Sequence, residues 1–247
     1  MRDQRFVAHI DILGMSSIVE RDADLAWELL SELVAVRDRT SNYALEFLDT
    51  NELIAISDAI QSVTFSDTIL LFTKDSSDIN LRCLIVLVVE MFHKALCRCV
   101  PVRAGISFGT FYFNFEKSMY AGPALIDAYR SGEAAQWLGV ALSRLVQDRA
   151  AALNMMTGKS HVVVPWDLPV KDKVNPCQVV TAPSLVVNWP AVVARDLTVT
   201  PPISIEQFYQ PFESTFGVIA ELPQEVRRKY SNTVEFLNVH LIRHTAA

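Results

Sequence analysis

Two carboxylates stand where carboxylates are costly. Asp11 lies in the run HIDILGM, His9 to Met15, inside an apolar segment just ahead of a glycine and a helix-like pattern. Asp67 lies in VTFSDTILLF, at a tight turn over Phe65, Ser66, Asp67 and Thr68 between two short strands. Alone, Asp11 reads as a helix cap and Asp67 as an ordinary turn residue. Together they point to something else. If the first strand lies beside the hairpin, the two side chains meet at one sheet edge, where paired neighbours bring Cβ atoms within about 5 Å. Converging carboxylates repel one another unless a divalent cation lies between them. Mg²⁺ and Mn²⁺ take hard oxygen ligands, typically one or two carboxylates plus substrate phosphates. The segment Ile12, Leu13, Gly14 and Met15 would then offer backbone N–H groups ahead of a helix, a place to cradle a phosphate.

A third charged residue belongs beside them. Arg103 opens the strand VRAGISFGTFYFNFE, flanked by Val102 and Ala104. A buried Arg needs an anionic partner. It either steadies charge on a phosphoryl group or forms an internal ion pair.

The elements that must position these residues follow from the pattern. Arg5–Ile12 is predicted as a central strand, apolar on both faces. Leu25, Leu29, Leu30, Leu33, Val34 and Val36 recur at helical spacing within a helix from Ser16 to Arg39, followed by a polar linker. The run LRCLIVLVVEMFHKALC is the most apolar stretch, but Glu90, His93 and Lys94 interrupt it and it is too short for a membrane span; it is predicted as a core helix. Gly105 and Gly109 flag close backbone approach or a bend. A helix opened by Gly122-Pro123 is predicted over 121–137. HVVVP and CQVVT read as further strands, PSLVVNWPAVV as a strand and a loop, and the segments 204–216 and 222–243 as helical. The order is that of an α+β sandwich of the ferredoxin-like type: a mixed or antiparallel sheet with helices packed on it. It divides into a core over residues 1–164 and a C-terminal elaboration over 165–247 packed on the same domain.

Of the 247 residues, 51% are hydrophobic and 20% charged, an ordinary globular composition, and the net charge of -6 with no basic run disfavours nucleic acid as a partner. The four cysteines, Cys83, Cys97, Cys99 and Cys177, match neither a zinc site nor a disulfide framework. With an N-terminus that does not read as a signal peptide, the expectation is a cytoplasmic protein with no membrane partner. Lys229, Tyr230 and Asn232 near the C-terminus are candidates to touch base or phosphate, or to act as ordering contacts. His9 and His93 read as packed core or surface residues and not as ligands.

FVAHIDILGM, FSDTILLF, VRAGISFGTFYF and AGPALIDAYRSGEAAQ, taken in that order, resemble the class III nucleotide cyclase catalytic domain over Phe6 to Ser143. The resemblance implies two Mg²⁺ or Mn²⁺ ions per site on Asp11 and Asp67, with Ile12 as a further metal contact, a triphosphate on residues 12–15, and Arg130 at the family's transition-state position. It implies a head-to-tail homodimer whose composite sites take metal ligands from one chain and transition-state residues from the other. Where cyclases of purine nucleotides carry a base-reading Lys or Glu before the hairpin Asp, this sequence has Gln61-Ser62-Val63. Where they carry Asp or Cys before the helix motif it has Ser118-Met119-Tyr120, and Ile126 stands in place of the helix Asn.

These departures, with GPALIDAY, VVNWP and KYSNTVEFL, resemble the pyrimidine cyclases of bacterial anti-phage (Pycsar) signalling. That likeness implies conversion of UTP, or less readily CTP, into a 3′,5′-cyclic monophosphate that activates a separate effector. A catalytically inactive, nucleotide-binding dimerisation module is the first alternative. A palm-type polymerase or diguanylate cyclase is the second, although Ser66-Asp67-Thr68 lacks the adjacent acid of those hairpins. A structural protein with no site is the third.

Overall fold

The computed structural model describes residues 2–47, 52–156, 162–196 and 201–245. In chain order the elements are β1 (Arg2–Ile12), α1 (Met15–Arg21), α2 (Ala23–Ser41), β2 (Ala44–Phe47), β3 (Glu52–Ala55), α3 (Ile56–Ala59), β4 (Ile60–Phe65), β5 (Thr68–Thr73), α4 (Asp78–Cys97), β6 (Val102–Asn114), β7 (Met119–Ala121), α5 (Pro123–Ala134), β8 (Val140–Leu142), α6 (Arg144–Ala152), β9 (Val163–Lys171), β10 (Val179–Val187), α7 (Pro190–Asp196), α8 (Ile205–Tyr209), α9 (Glu213–Phe216) and α10 (Gln224–Thr245).

The main sheet runs β4-β5-β1-β6-β8-β10-β9, with β7 paired to β6 off this path; β2 and β3 form a separate hairpin. Only the β6–β8 pairing in the main sheet is parallel. This is the mixed, mostly antiparallel α+β sheet expected from the sequence. Phe6, Ala8, Ile10 and Ile12 bury one face of β1 in the larger core with α1, α2 and α4. Val7 points the other way, into a smaller core with Leu70, Phe72, Phe111, Ala124 and Ala128. Alternation puts His9 and Asp11 on that second face, the one α5 covers.

α5 is held close by small residues. A Cβ on Gly105 of β6 would lie 2.1 Å from the carbonyl oxygen of Ala128 and 2.6 Å from the nitrogen of Gly132. Helix and strand backbones touch there, and only glycine permits it. A Cβ at Gly109 would make only ordinary contact with Ala124, and β6 passes through both glycines without interruption.

Several boundaries differ from expectation. The helix predicted over Ser16–Arg39 is two helices, because Asp22 adopts an extended conformation and its side chain accepts a hydrogen bond from Leu25 N at 3.0 Å, capping α2. The polar linker holds β2. The VVT of CQVVT and the following PSLVV belong to one strand, β10, and PAVV opens a helix, α7, instead of a loop. Pro165, the expected edge of the core, lies inside β9, so residues on both sides of it share a strand of the main sheet. Among the described residues no helix is long and apolar enough to cross a membrane.

Candidate active site

β1 and β5 are antiparallel neighbours, with Asp11 opposite Thr68. The hairpin that carries Asp67 therefore turns at the C-terminal end of β1. The Ile12 N–H donates to the Asp67 carbonyl at 3.3 Å, which ties the two acids' backbones together. The charge of Asp67 also acts on Asp11 and on His9. The first strand lies beside the hairpin, the arrangement on which the sequence reading of the two acids depends.

On its other side β1 pairs with β6, and Asp11 faces Arg103 directly. Arg103 Nε and Nη2 both donate to Asp11 Oδ2, at 3.0 and 2.8 Å. Nη1 pairs with Glu133 Oε2 at 2.5 Å. The other Glu133 oxygen, Oε1, accepts from Lys171 Nζ. Four side chains from β1, β6, α5 and β9 thus form one chain of alternating charge: Asp11, Arg103, Glu133, Lys171. Asp11 and Arg103 are 18% and 14% exposed, so water screens their pairing only in part. Lys229 of α10 faces Arg103, Glu133 and Lys171 and is half-buried.

The electrostatics follow from burial. Burial pushes the Asp11 carboxyl above its usual range; Arg103 pulls it back without cancelling the rise, and Asp67 adds to it. Burial holds the His9 imidazole below its ordinary value. For Glu133 the upward push of burial is overcome by the Lys171 hydrogen bond and the Arg103 charge, and its carboxyl sits low. Burial, then the neighbouring Arg103, lowers Lys229. His9 sits edge-on to Tyr129 with ring centroids 5.3 Å apart, a packed residue as expected.

The donor set fits a hard divalent cation. Both guanidinium hydrogen bonds end on Oδ2 of Asp11, so Oδ1 is not taken by Arg103, and the like-charged Asp67 stands near it. A cation there would remove the repulsion that helps raise Asp11. Among the described residues no cluster of three or more His, Cys, Asp or Glu side chains forms a metal site. Water, a backbone oxygen such as that of Ile12, and substrate phosphates would therefore complete the shell.

The structure bears on two expectations. Arg103 was a candidate to act on substrate or to form an internal ion pair; Nε and Nη2 donate to Asp11 and Nη1 pairs with Glu133, so in this structure it forms the ion pair. Ile12 and Leu13 were candidate phosphate donors, but their N–H groups are spent on Asp67 and on the Pro101 carbonyl, at 3.3 and 2.8 Å. That leaves Gly14, at φ 80° in the left-handed region, and Met15 at the start of α1. Arg130 is exposed in the C-terminal half of α5, three residues before Glu133. Tyr230 is buried against Tyr209, and Asn232 donates to the Gln136 carbonyl at 2.7 Å; both are ordering contacts.

Sequence reasoning assigned no role to Glu133 or Lys171. The signal for Glu133 was the helix itself, since a carboxylate right after Gly132, on a helix fitted against Gly105, must lie beside Arg103. Lys171 carried no comparable signal.

No family model and no curated protein matches the chain. Among solved structures, it is similar to a bacterial light-regulated adenylyl cyclase with a TM-score of 0.51 at 10% identity, covering 87% of this chain and 57% of that one. The chain thus spans little more than half the length of that structure. The catalytic core of a rhodopsin-guanylyl cyclase with converted specificity, in complex with ATPαS, gives 0.48 at 16% identity, covering 76% and 97%. A class III adenylyl cyclase-like ATP-binding protein from Pseudomonas aeruginosa gives 0.42 at 14% identity, covering 65% and 38%. The first likeness shows the fold alone: the mixed, mostly antiparallel α+β sheet with its packed helices resembles that of this adenylyl cyclase structure.

Proposed function

We propose that this chain is a nucleotide cyclase that converts a pyrimidine nucleoside triphosphate, UTP in preference to CTP, into its 3′,5′-cyclic monophosphate and pyrophosphate. The observation that carries the reading is the convergence of Asp11 and Asp67 at the end of β1, within a cyclase-type sheet. The four sequence motifs support it independently, and their likeness to the pyrimidine cyclases supports a homodimer, a separate effector and a role in bacterial anti-phage defence.

Asp11 and Asp67 would hold two Mg²⁺ or Mn²⁺ ions, which when bound lower the pKa of the ribose 3′-hydroxyl and neutralise the triphosphate. The N–H groups of Gly14 and Met15 would donate to phosphate oxygens. Arg130 projects from α5 into solvent, where it can reach substrate held by a second copy and meet the charge that grows as the 3′-oxygen attacks the α-phosphorus and pyrophosphate leaves. Gln61, Ser62 and Val63 on β4, and Ser118, Met119 and Tyr120 at β7, offer no Lys, Asp or Glu to a purine edge. That supports a pyrimidine.

The test is an Asp67→Asn chain that folds. Loss of metal-dependent turnover is expected, and turnover at the wild-type rate would sink the metal assignment. Two observations favour the second reading, a module that binds nucleotide without turning it over: Arg103 holds one carboxylate oxygen of Asp11, and Ile126 replaces the helix Asn. Product analysis separates the two readings.

A further inference from the structure

We infer that Glu133 and Lys171 are positioning residues that set how strongly Arg103 competes with a divalent cation for Asp11. The inference rests on the proposed metal role of Asp11 and Asp67, but it concerns different residues and predicts a different quantity.

The geometry carries it. Arg103 is a planar fork with its nitrogens in fixed directions, and it spans two carboxylates at once. Its Nε and Nη2 lie on Asp11 and its Nη1 lies on Glu133. Glu133 in turn divides its two oxygens between Arg103 and Lys171. Every pull on Glu133 is therefore felt at Arg103, and every pull on Arg103 is felt at Asp11. If Glu133 loses its charge, the guanidinium keeps Asp11 as its only anion and holds it more firmly against an incoming cation. If Lys171 is removed, Glu133 loses its hydrogen-bonded lysine, pairs more strongly with Arg103 and draws it away from Asp11. These groups are all less than two-fifths exposed, so the interactions are stronger than at a fully solvated surface. Lys229 faces the same cluster from α10 and adds to the positive side of the balance.

The arrangement also links two halves of the site. Glu133 and Arg130 lie three residues apart on α5, and Asp11 lies at the C-terminal end of β1. Lys171 brings in β9, from the segment 165–247 that was expected only to elaborate the core.

Mn²⁺ binding to the full chain without nucleotide, by titration calorimetry, tests this independently of turnover. Glu133→Gln should weaken Mn²⁺ about tenfold, and Lys171→Met should tighten it severalfold, with Lys171→Arg close to wild type. Cooperative melting and unchanged far-UV circular dichroism certify each fold. In an Arg103→Met background both effects should shrink to less than about twofold, because the competitor they act through is gone. Changes of the same sign from both variants overturn the inference. So do effects that persist undiminished without Arg103, which would mark a general field and not competition. If wild type binds Mn²⁺ and Asp67→Asn does not, yet Glu133 and Lys171 have no influence, this inference fails while the metal reading stands. If the opposite-signed effects appear but no nucleotide is cyclised, the inference stands and the cyclase reading fails.

Discussion

Arg103 and Asp11 occupy directly opposed positions on β6 and β1, and the guanidinium closes on a single carboxylate oxygen of Asp11, Oδ2. This pairing stabilises Asp11 without fully offsetting its burial, since the carboxyl still sits above its ordinary range. The sign of the consequence is fixed. A group whose folded pKa exceeds its unfolded value contributes stability that is present below the unfolded pKa and is lost as pH rises through the folded one. At neutral pH an ionised Asp11 is therefore a net cost to the cation-free protein. Asp11→Asn is expected to melt no lower than wild type in chelated buffer. Adding Mn²⁺ should raise the melting temperature of wild type and leave that of the variant unchanged. Differential scanning calorimetry reads both.

The same raised carboxyl predicts the pH dependence of cation binding. Protonation of Asp11 competes with the cation, and burial makes that protonation set in above the usual carboxylate range near about 4. Mn²⁺ affinity should fall on acidification at a higher pH than a solvated pair of aspartates would show. Titration calorimetry across pH checks it; an affinity that holds down to the ordinary carboxylate range would contradict the burial argument.

Gly105→Ala should be among the most destabilising single substitutions in the sheet. The new Cβ would meet the backbone of Ala128 and Gly132, which cannot rotate aside as a side chain can. A cost of at least about 3 kcal/mol is expected, measured by denaturant unfolding. Because α5 must retreat, the Glu133–Arg103 contact should open as well.

Arg130→Ala separates chemistry from folding. The side chain is exposed, so stability should change by less than about 0.5 kcal/mol. Mn²⁺ affinity should be unaltered. Turnover should drop by about 10²–10³-fold if Arg130 meets developing phosphoryl charge.

What could be read from the sequence divides along a physical line. Asp11 was legible because a carboxylate at the end of an apolar strand breaks a local rule, and Asp67, ordinary in a turn, became legible only as its partner. The strand pairing that joins them follows from those same segments. Arg103 was legible as a buried cation in need of an anion, but not its partners, since Glu133 comes from a helix and Asp11 from a strand far away in sequence. Ile12 and Leu13 looked like free donors because their acceptors, the carbonyls of Asp67 and Pro101, belong to other segments. The helix break at Asp22 is a local capping signal that the apolar periodicity obscured. The extent of β9 and β10 was hidden by prolines at 165, 169 and 183, which the paired strands accommodate.

The central claim is that this site cyclises a pyrimidine nucleotide. It is tested most directly by incubating the full chain with ATP, GTP, CTP and UTP in turn, with Mn²⁺, and identifying the products by mass. The account predicts a 3′,5′-cyclic pyrimidine monophosphate and pyrophosphate, from UTP above CTP, abolished by Asp67→Asn. No cyclic product from any of the four, or cyclic product from ATP or GTP alone, would contradict it.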